Sequence, residues 1–235
     1  EGSVLVGNNH IVRGAVFVIG GAPGVGKSRA SMALAVAGAN GQSWLGLAVH
    51  RPFRTMIVQN ENGKMRLSEE FFTLPCEQLD SWVRVSPPPP FGLAFADSAF
   101  RKELAEAIAD FKPDVILIDP WNAVAPDDKA KDYLETFHLI KSLIPSSDTS
   151  PAIGIVAHTR KPKTDERSNG RTLLNLLAGS YVLASVPRSV FVLQPASDDT
   201  EDNRVVFTCC KNNDGPLGGQ SAWHRRINSF EAIPD

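Results

Sequence analysis

The sequence Gly-Gly-Ala-Pro-Gly-Val-Gly-Lys-Ser, at residues 20–28, decides the fold of this chain. From Gly21 onward it matches G-x-x-x-x-G-K-[ST], the pattern of a phosphate-binding loop, or P-loop. Glycines suit such a loop because its backbone N–H groups must approach the phosphates closely, often at positive φ. We therefore predict that ATP is held by Gly21, Ala22, Pro23, Gly24, Val25, Gly26, Lys27, Ser28 and Arg29.

The segments on either side of the loop have the character that a P-loop requires. Residues 15–19 are apolar and predict a short strand, and residues 29–39, rich in Ala, Met and Leu, predict a helix. Such a helix turns its positive end toward a bound anion. We expect Lys27 to contact the β and γ phosphates and Ser28 to place its hydroxyl on Mg²⁺.

The composition is that of an ordinary globular protein. The 235 residues are 43% hydrophobic and 21% charged, which is enough for one large core. We predict one domain over residues 1–235, with residues 1–14 as a lead-in that packs beside the nucleotide. The net charge of −2 indicates no general affinity for nucleic acid, so any such contact must be local. Because the sequence begins at Glu1 rather than Met, we expect a piece of a longer protein.

The cysteines and the apolar segments predict the environment of the chain. Cys76, Cys209 and Cys210 are odd in number and lack the spacing of a metal site. In a strand, the adjacent Cys209 and Cys210 would point to opposite faces, so we expect reduced, structural thiols in a cytoplasmic protein. No segment approaches the ~18 uninterrupted apolar residues of a membrane span, and we expect no membrane partner.

Apolar strands alternate with helices along the chain. We predict strands at residues 54–59, 82–86, 114–119 and 152–157, and helices at residues 64–73, 98–111, 129–144 and up to about residue 186. This alternation predicts an α/β fold with a mostly parallel sheet and helices on both faces. Closing strands are predicted at residues 189–193, 204–210 and 222–227. Ligands lie beyond the carboxyl ends of such strands, where the P-loop, Glu61, Asp119 and His158 all fall.

Acidic residues at two strand ends are candidates for the chemistry of the site. Asp119 ends an apolar run, the position of an acid that holds Mg²⁺; the alternative is a turn-forming Asp before Pro120. Glu61 follows the second strand, where a carboxylate could orient or deprotonate a water; the alternative is a solvated loop residue. Asp127 and Asp128 are rival acids, although helix capping explains at least one of them.

Polar and basic residues follow the strand at residues 152–157. His158 is either a sensor of the γ phosphate or a structural side chain. The segment at residues 160–171 is predicted to be a mobile basic loop. It is either a solvated surface or a segment that contacts several nucleic-acid phosphates at once. Its candidate contact residues are Lys161, Lys163, Arg167 and Arg171.

Taken in order, these segments resemble one family. The resemblance rests on the P-loop, the strand that ends at Glu61, residues 115–120, the sequence Ile-Val-Ala-His-Thr-Arg-Lys at 155–161, and Gly179-Ser180 followed by Arg188. They are similar to the RecA-like ATPase superfamily and, within it, resemble the RepA-type AAA_25 group of hexameric replicative helicases, related to DnaB. The resemblance covers about residues 10–227 and implies a RecA-like P-loop fold with antiparallel closing strands.

The resemblance also implies roles for individual residues. Glu61 matches the catalytic carboxylate of this class, and His158 matches the polar sensor at a strand end. Arg188 matches an arginine finger, which reaches the γ phosphate bound by the neighbouring subunit. Lys211 lies where related motors place a second cation that acts on the neighbour. Together with Lys27, these are the predicted catalytic residues.

Two functions are compatible with the resemblance. The first is a ring ATPase, expected to be a hexamer, that uses ATP and Mg²⁺ to move along single-stranded DNA as the motor module of a replicative helicase. The second is a KaiC-like or recombinase-like protein, in which ATP controls assembly or signalling without translocation. If single-stranded DNA stimulates ATP hydrolysis, the first function is favoured. Slow hydrolysis that is independent of DNA favours the second.

Overall fold

A large β-sheet lies at the centre of the protein. The computed structural model describes residues 2–60, 65, 79–86, 93–121, 130–144, 147, 149–161, 168–177, 181–226 and 229–234. Its strands are β1 (Val4–Val6), β2 (Ile11–Val12), β3 (Val16–Gly21), β4 (Thr55–Gln59), β5 (Val83–Val85), β6 (Val115–Asp119), β7 (Ala152–His158), β8 (Ser189–Pro195), β9 (Arg204–Asn212), β10 (Ser221–Arg225) and β11 (Phe230–Ala232). Its α-helices are α1 (Lys27–Asn40), α2 (Leu79–Trp82), α3 (Ser98–Phe111), α4 (Ala130–Ser142) and α5 (Val182–Ser185), and Gly170–Leu176 is a 3₁₀ helix.

Among the described strands, nine form one sheet in the order β11-β10-β9-β8-β3-β7-β6-β4-β5. The strands from β8 to β5 run parallel, and β9, β10 and β11 continue the sheet with antiparallel pairing. The carboxyl ends of β3, β4, β6 and β7 therefore meet at one edge. The predicted α/β fold, a mostly parallel RecA-like sheet with antiparallel closing strands, is confirmed.

Helices cover both faces of the sheet, and each face has its own apolar core. Because side chains alternate along a strand, Val18 of β3 packs in one core while Ile19 packs in the other. Leu34 of α1 belongs to the core of Ile19. Phe111 of α3 and Phe137 of α4 belong to the core of Val18.

The adjacent cysteines of β9 follow the same alternation. Cys209 lies in one core and Cys210 in the other, and both are free thiols. Burial raises the pKa of Cys209 to about 11 and that of Cys210 to about 12, so both remain protonated near neutral pH. The prediction that this pair points to opposite faces of a strand is confirmed, and both thiols are buried; their reduced state stays a prediction, and Cys76 lies outside the described residues.

The helix predicted to end near residue 186 is wrong in its extent. The chain forms the 3₁₀ helix Gly170–Leu176 and then the short α5. A capping box between Asn169 and Thr172 starts the 3₁₀ helix. Leu177 then pairs with Thr159 as a β-bridge, and this extended pairing ends the helical segment.

The predicted lead-in at residues 1–14 contains the antiparallel strands β1 and β2. These strands are three and two residues long, too short for a periodic pattern to predict them. Asn9 Nδ2 donates to Asp214 O (2.8 Å), which joins this hairpin to the turn after β9. The helix predicted at residues 64–73 lies outside the described residues, apart from Met65.

Among the helices of the described ranges, none has the length and apolar character needed to cross a membrane.

Candidate nucleotide site

The P-loop joins the carboxyl end of β3 to the first turn of α1, as the flanking sequence predicts. Gly26, immediately before the helix, has a φ of 107°, a conformation that favours glycine. Gly21 is required for a different reason, because a Cβ there would lie 2.7 Å from Val25 Cγ1 and 2.9 Å from Leu193 O. The loop therefore packs closely on the sheet through its backbone.

Lys27 lies at the centre of the site and is only 7% exposed. Its Nζ donates to Ala22 O (2.9 Å) and contacts His158 Nδ1 (3.1 Å). Because an ammonium group has donors only, Nδ1 of His158 accepts this bond, which places the proton of a neutral imidazole on Nε2. The structure thus brings together a lysine and a histidine that are 131 residues apart.

His158 reaches Lys27 because β7 is the neighbour of β3. The Cα atoms of Gly21 and His158 are register partners, and Thr159 N donates to Gly21 O (3.0 Å). On its other edge β7 pairs with β6, so one strand separates the P-loop strand from the strand that ends at Asp119.

Asp119 supplies a buried carboxylate to the same edge of the sheet. It is 7% exposed, and its Cα pairs with that of Gln59 at the end of β4. The peptide bond from Asp119 to Pro120 is cis. Asp119 and Ser28 line the same cavity, and carboxylate and hydroxyl oxygens are ligands that Mg²⁺ prefers. The predicted donor pair therefore fits a magnesium ion.

A cavity of about 860 Å³ opens over these groups, within the usual size range of ligand sites. The P-loop and the start of α1 form one wall, and the ends of β6, β7 and β10 complete it. Among its described lining residues, the cations Lys27, Arg29, Arg225 and Arg226 outnumber the carboxylate of Asp119. This excess of positive charge suits a polyphosphate ligand.

The family comparison agrees with this geometry. Residues 4–164 match the model of AAA_25, whose description is "AAA domain". The chain belongs to the AAA_25 family. No curated protein matches the chain. The matched segment contains the P-loop, Asp119 and His158, and it ends before β8, so the closing strands of this AAA_25 protein lie outside it.

Some predicted residues of the AAA_25 protein lie outside the described residues. These are Glu61, Lys163 and Arg167, together with the rival acids Asp127 and Asp128, and their roles stay predictions. The strand β4, which precedes Glu61, ends at Gln59 beside Asp119.

The described ends of the basic segment lie close to the nucleotide site along the chain. Lys161 follows His158 by three residues and is exposed, and Arg171 is exposed in the 3₁₀ helix. Arg160 Nε donates to Asn175 O (3.2 Å), which ties the start of the segment to the 3₁₀ helix that contains Arg171. Contact of Lys161 and Arg171 with nucleic acid stays a prediction.

Arg188 and Lys211 lie at the opposite end of the sheet from the P-loop. Arg188 N donates to Val16 O (2.7 Å) at the start of β3, and Lys211 is the register partner of Val190. Val16 precedes Gly21 by five residues, which at ~3.3 Å per strand residue is a separation of about 17 Å. From that position Arg188 cannot contact the phosphates held by its own chain.

Both cations have partners within the chain. Arg188 Nε lies 3.1 Å from Asp214 Oδ2, and Lys211 Nζ donates to Ala184 O (2.8 Å) and Ser185 O (2.9 Å). Burial, and then the positive charge of Arg188, lower the pKa of Lys211. The two cations therefore form one positively charged group.

Arg225 and Arg226 are site residues that the sequence interpretation misses. Arg225 ends β10, and its Nη1 donates to Gly24 O of the P-loop. Arg226 Nε donates to Glu231 Oε2 (2.8 Å). In the sequence, the two arginines are visible only as an adjacent pair in the last predicted strand. Nothing in that pattern indicates a contact with a loop 201 residues earlier.

Proposed function

We propose that this AAA_25 protein is the ATP-hydrolysing motor module of a replicative DNA helicase, which assembles as a ring, expected to be a hexamer, and moves along single-stranded DNA. Family membership makes the chain a P-loop ATPase, and the motor activity is the proposal. The observation that carries it is the convergence of Lys27, Asp119 and His158 on one cationic cavity.

In this proposal, ATP replaces the hydrogen-bond partners that the Lys27 ammonium group has in the ligand-free protein. Its ammonium group leaves Ala22 O and His158 Nδ1 for the β and γ phosphates of ATP, where it offsets their charge. Ser28 and Asp119 would hold Mg²⁺, which would supply electrostatic stabilisation of the phosphates. Glu61 accepts the proton of the attacking water.

His158 then reports the state of the nucleotide. When Lys27 binds phosphate, Nδ1 of His158 loses this donor, and as an acceptor it can then receive a hydrogen bond from a water on the γ phosphate side of the cavity. Since Thr159 is bonded to the first residue of the P-loop, a change there is passed directly to residues 160 and 161.

The ring assembly is supported by the position of Arg188 and Lys211. About 17 Å of β3 separates Arg188 from the P-loop of its own chain, and the ammonium group of Lys211 is held near Arg188 by Ala184 O and Ser185 O. The two form a cationic group of the kind that stabilises a phosphoryl-transfer transition state. A second copy of the chain that presents its nucleotide cavity to this cationic group would form a complete site at the subunit interface.

The contact with DNA is assigned to the basic segment at residues 160–171. Its cations Lys161, Lys163, Arg167 and Arg171 begin directly after His158, so the nucleotide state and the strand contact are adjacent in the chain. Their interaction with DNA phosphates releases counterions, so strand binding should weaken as the salt concentration rises.

The deciding experiment measures the rate of ATP hydrolysis with and without single-stranded oligonucleotide. We expect stimulation by the strand, and its loss when Lys161, Lys163 and Arg167 are changed to alanine together. A matched control changes three lysines of the α3 and α4 surface, Lys102, Lys131 and Lys141, and should retain stimulation. Hydrolysis that single strands leave unchanged refutes the motor proposal.

The net charge of −2 favours a second candidate, a KaiC-like or recombinase-like ATPase without translocation. In that case ATP drives assembly, and hydrolysis is slow and independent of DNA. Light scattering with and without ATP measures whether ATP drives assembly. The hydrolysis assay separates the two functions, because only the first requires stimulation by single strands.

A further inference from the structure

The β10–β11 hairpin packs on the P-loop of its own chain. The Cα atoms of Arg225 and Phe230 are register partners, so both side chains belong to the same end of the hairpin. A Cβ placed on Gly26 would lie 3.2 Å from Arg225 Cδ and 3.6 Å from Phe230 Cζ. The hairpin therefore covers the residue that immediately precedes α1, although it lies outside the matched residues 4–164.

Arg225 holds one specific peptide group of the loop. Its Nη1 donates to Gly24 O, while Val25 N, in the same peptide group, donates to Ala22 O (3.3 Å). Because a peptide group is planar, holding both its oxygen and its N–H fixes its orientation. Lys27 Nζ donates to the same Ala22 O (2.9 Å), which adds a third bond to this part of the loop.

This peptide group needs an external contact because Gly24 supplies its carbonyl and a second glycine, Gly26, follows Val25. Gly24 and Gly26 have φ values of 75° and 107°, and glycine reaches many other conformations at little cost. A loop that must order itself when the ligand arrives loses affinity, whereas a preorganised loop does not. A charged donor such as a guanidinium forms a stronger hydrogen bond to a carbonyl than a neutral donor does.

Arg226 provides a natural comparison within the same cavity. Both arginines line the cavity and carry the same charge, but Arg226 bonds Glu231 rather than the P-loop. Loss of either residue removes one positive charge from the site. Only loss of Arg225 removes a bond to the P-loop.

We propose that Arg225 is a positioning residue of the nucleotide site, which holds the Gly24–Val25 peptide group so that the phosphate-binding backbone is ordered before the nucleotide arrives. This inference deepens the proposed ATPase function and rests on it. Because Arg225 acts through the phosphate-binding loop, it should affect the affinity for the phosphate groups of a ligand and not the affinity for the base.

The test compares the affinities of ADP and of inorganic pyrophosphate for the wild type, Arg225→Ala and Arg226→Ala by titration calorimetry. We expect Arg225→Ala to bind both ligands about tenfold more weakly, the effect of one hydrogen bond. Arg226→Ala should lose less than about threefold, as for an exposed charge. Arg225→Lys, which keeps a charged donor, should recover part of the affinity.

Hydrogen exchange of the ligand-free proteins gives a readout that general destabilisation would not produce. The amides of Ala22, Gly24, Val25 and Gly26 should exchange faster in Arg225→Ala than in Arg226→Ala, with equal exchange in β6 and β7. If Arg225→Ala does not fold, the comparison of Arg225→Lys with Arg226→Lys decides the question by the same two measurements.

Two results overturn the inference. Equal losses in the two alanine variants would indicate a general effect of charge, and a loss for ADP without a loss for pyrophosphate would indicate a contact with the base or ribose. If the wild type binds neither ligand, the proposed ATPase function fails as well. If the wild type binds both and the variants are equal, only the role of Arg225 fails.

Discussion

Replacement of Gly21 by alanine tests whether the P-loop depends on close backbone packing. The added Cβ would lie 2.9 Å from Leu193 O, a backbone atom of β8, and 2.7 Å from Val25 Cγ1. Val25 can change its rotamer, but Leu193 O can move only if β3 and β8 separate. Overpacking of this kind costs about 1–3 kcal/mol. At 2 kcal/mol, a chain of this length should lose roughly 4–8 °C in its unfolding midpoint.

The assay is thermal unfolding followed by circular dichroism, together with ADP titration. The control is Gly219→Ala, since no atom lies within 4 Å of a Cβ at Gly219, and its free energy of unfolding should stay within about 0.5 kcal/mol of the wild type. Gly21→Ala should also bind ADP more weakly, because the displaced strand carries the P-loop. An unchanged midpoint and affinity for Gly21→Ala would refute the packing argument.

Three further predictions concern the charges and thiols. Lys27→Ala should abolish tight ATP binding, as measured by calorimetry. Glu61→Gln should bind ATP with normal affinity and hydrolyse it at least ~100-fold more slowly, as measured by phosphate release. Normal turnover of Glu61→Gln would contradict the assignment of Glu61 as the base. A mixture of Arg188→Ala and Lys27→Ala subunits should regain hydrolysis that neither has alone, and an inactive mixture counts against action on a neighbouring subunit. Cys209 and Cys210 should resist iodoacetamide at pH 8 in the folded protein and react after unfolding. Their pKa values rise from 9.0 to about 11 and about 12 on folding, so the unfolded chain loses its thiol protons first as the pH rises. The free energy of unfolding, measured with denaturant, should therefore fall between pH 9 and pH 12.

The elements that were predictable have a strong local pattern. The helix predicted at residues 98–111 is α3 in full, because Leu104, Ile108 and Phe111 form a buried stripe. The side chain of Asp97 accepts a hydrogen bond from Ala99 N (2.8 Å) and caps its start. The P-loop was predictable for the same reason, since its glycines, lysine and serine are adjacent in the sequence.

The contacts that complete the site were not predictable, because they join residues far apart in the chain. The bond between Lys27 and His158 requires β7 to lie beside β3, and sequence patterns do not fix the order of parallel strands. The contact of Arg225 with Gly24 requires the closing strands to turn back over the loop. The 3₁₀ helix before α5 was missed because a tertiary β-bridge at Leu177 overrides the local helical preference.

The position of β7 between β3 and β6 separates two tasks of the molecule. Main-chain pairing holds β7 to β6 as far as Ile155 and to β3 as far as His158, so the sheet sets the position of His158. The segment after Thr159 can therefore vary in length and charge without disturbing the phosphate site. In the proposed motor, exchange of residues 161–168 for an acidic or neutral segment should weaken strand binding while leaving basal hydrolysis intact, so this segment is the place to test the proposed polymer contact apart from the phosphate site.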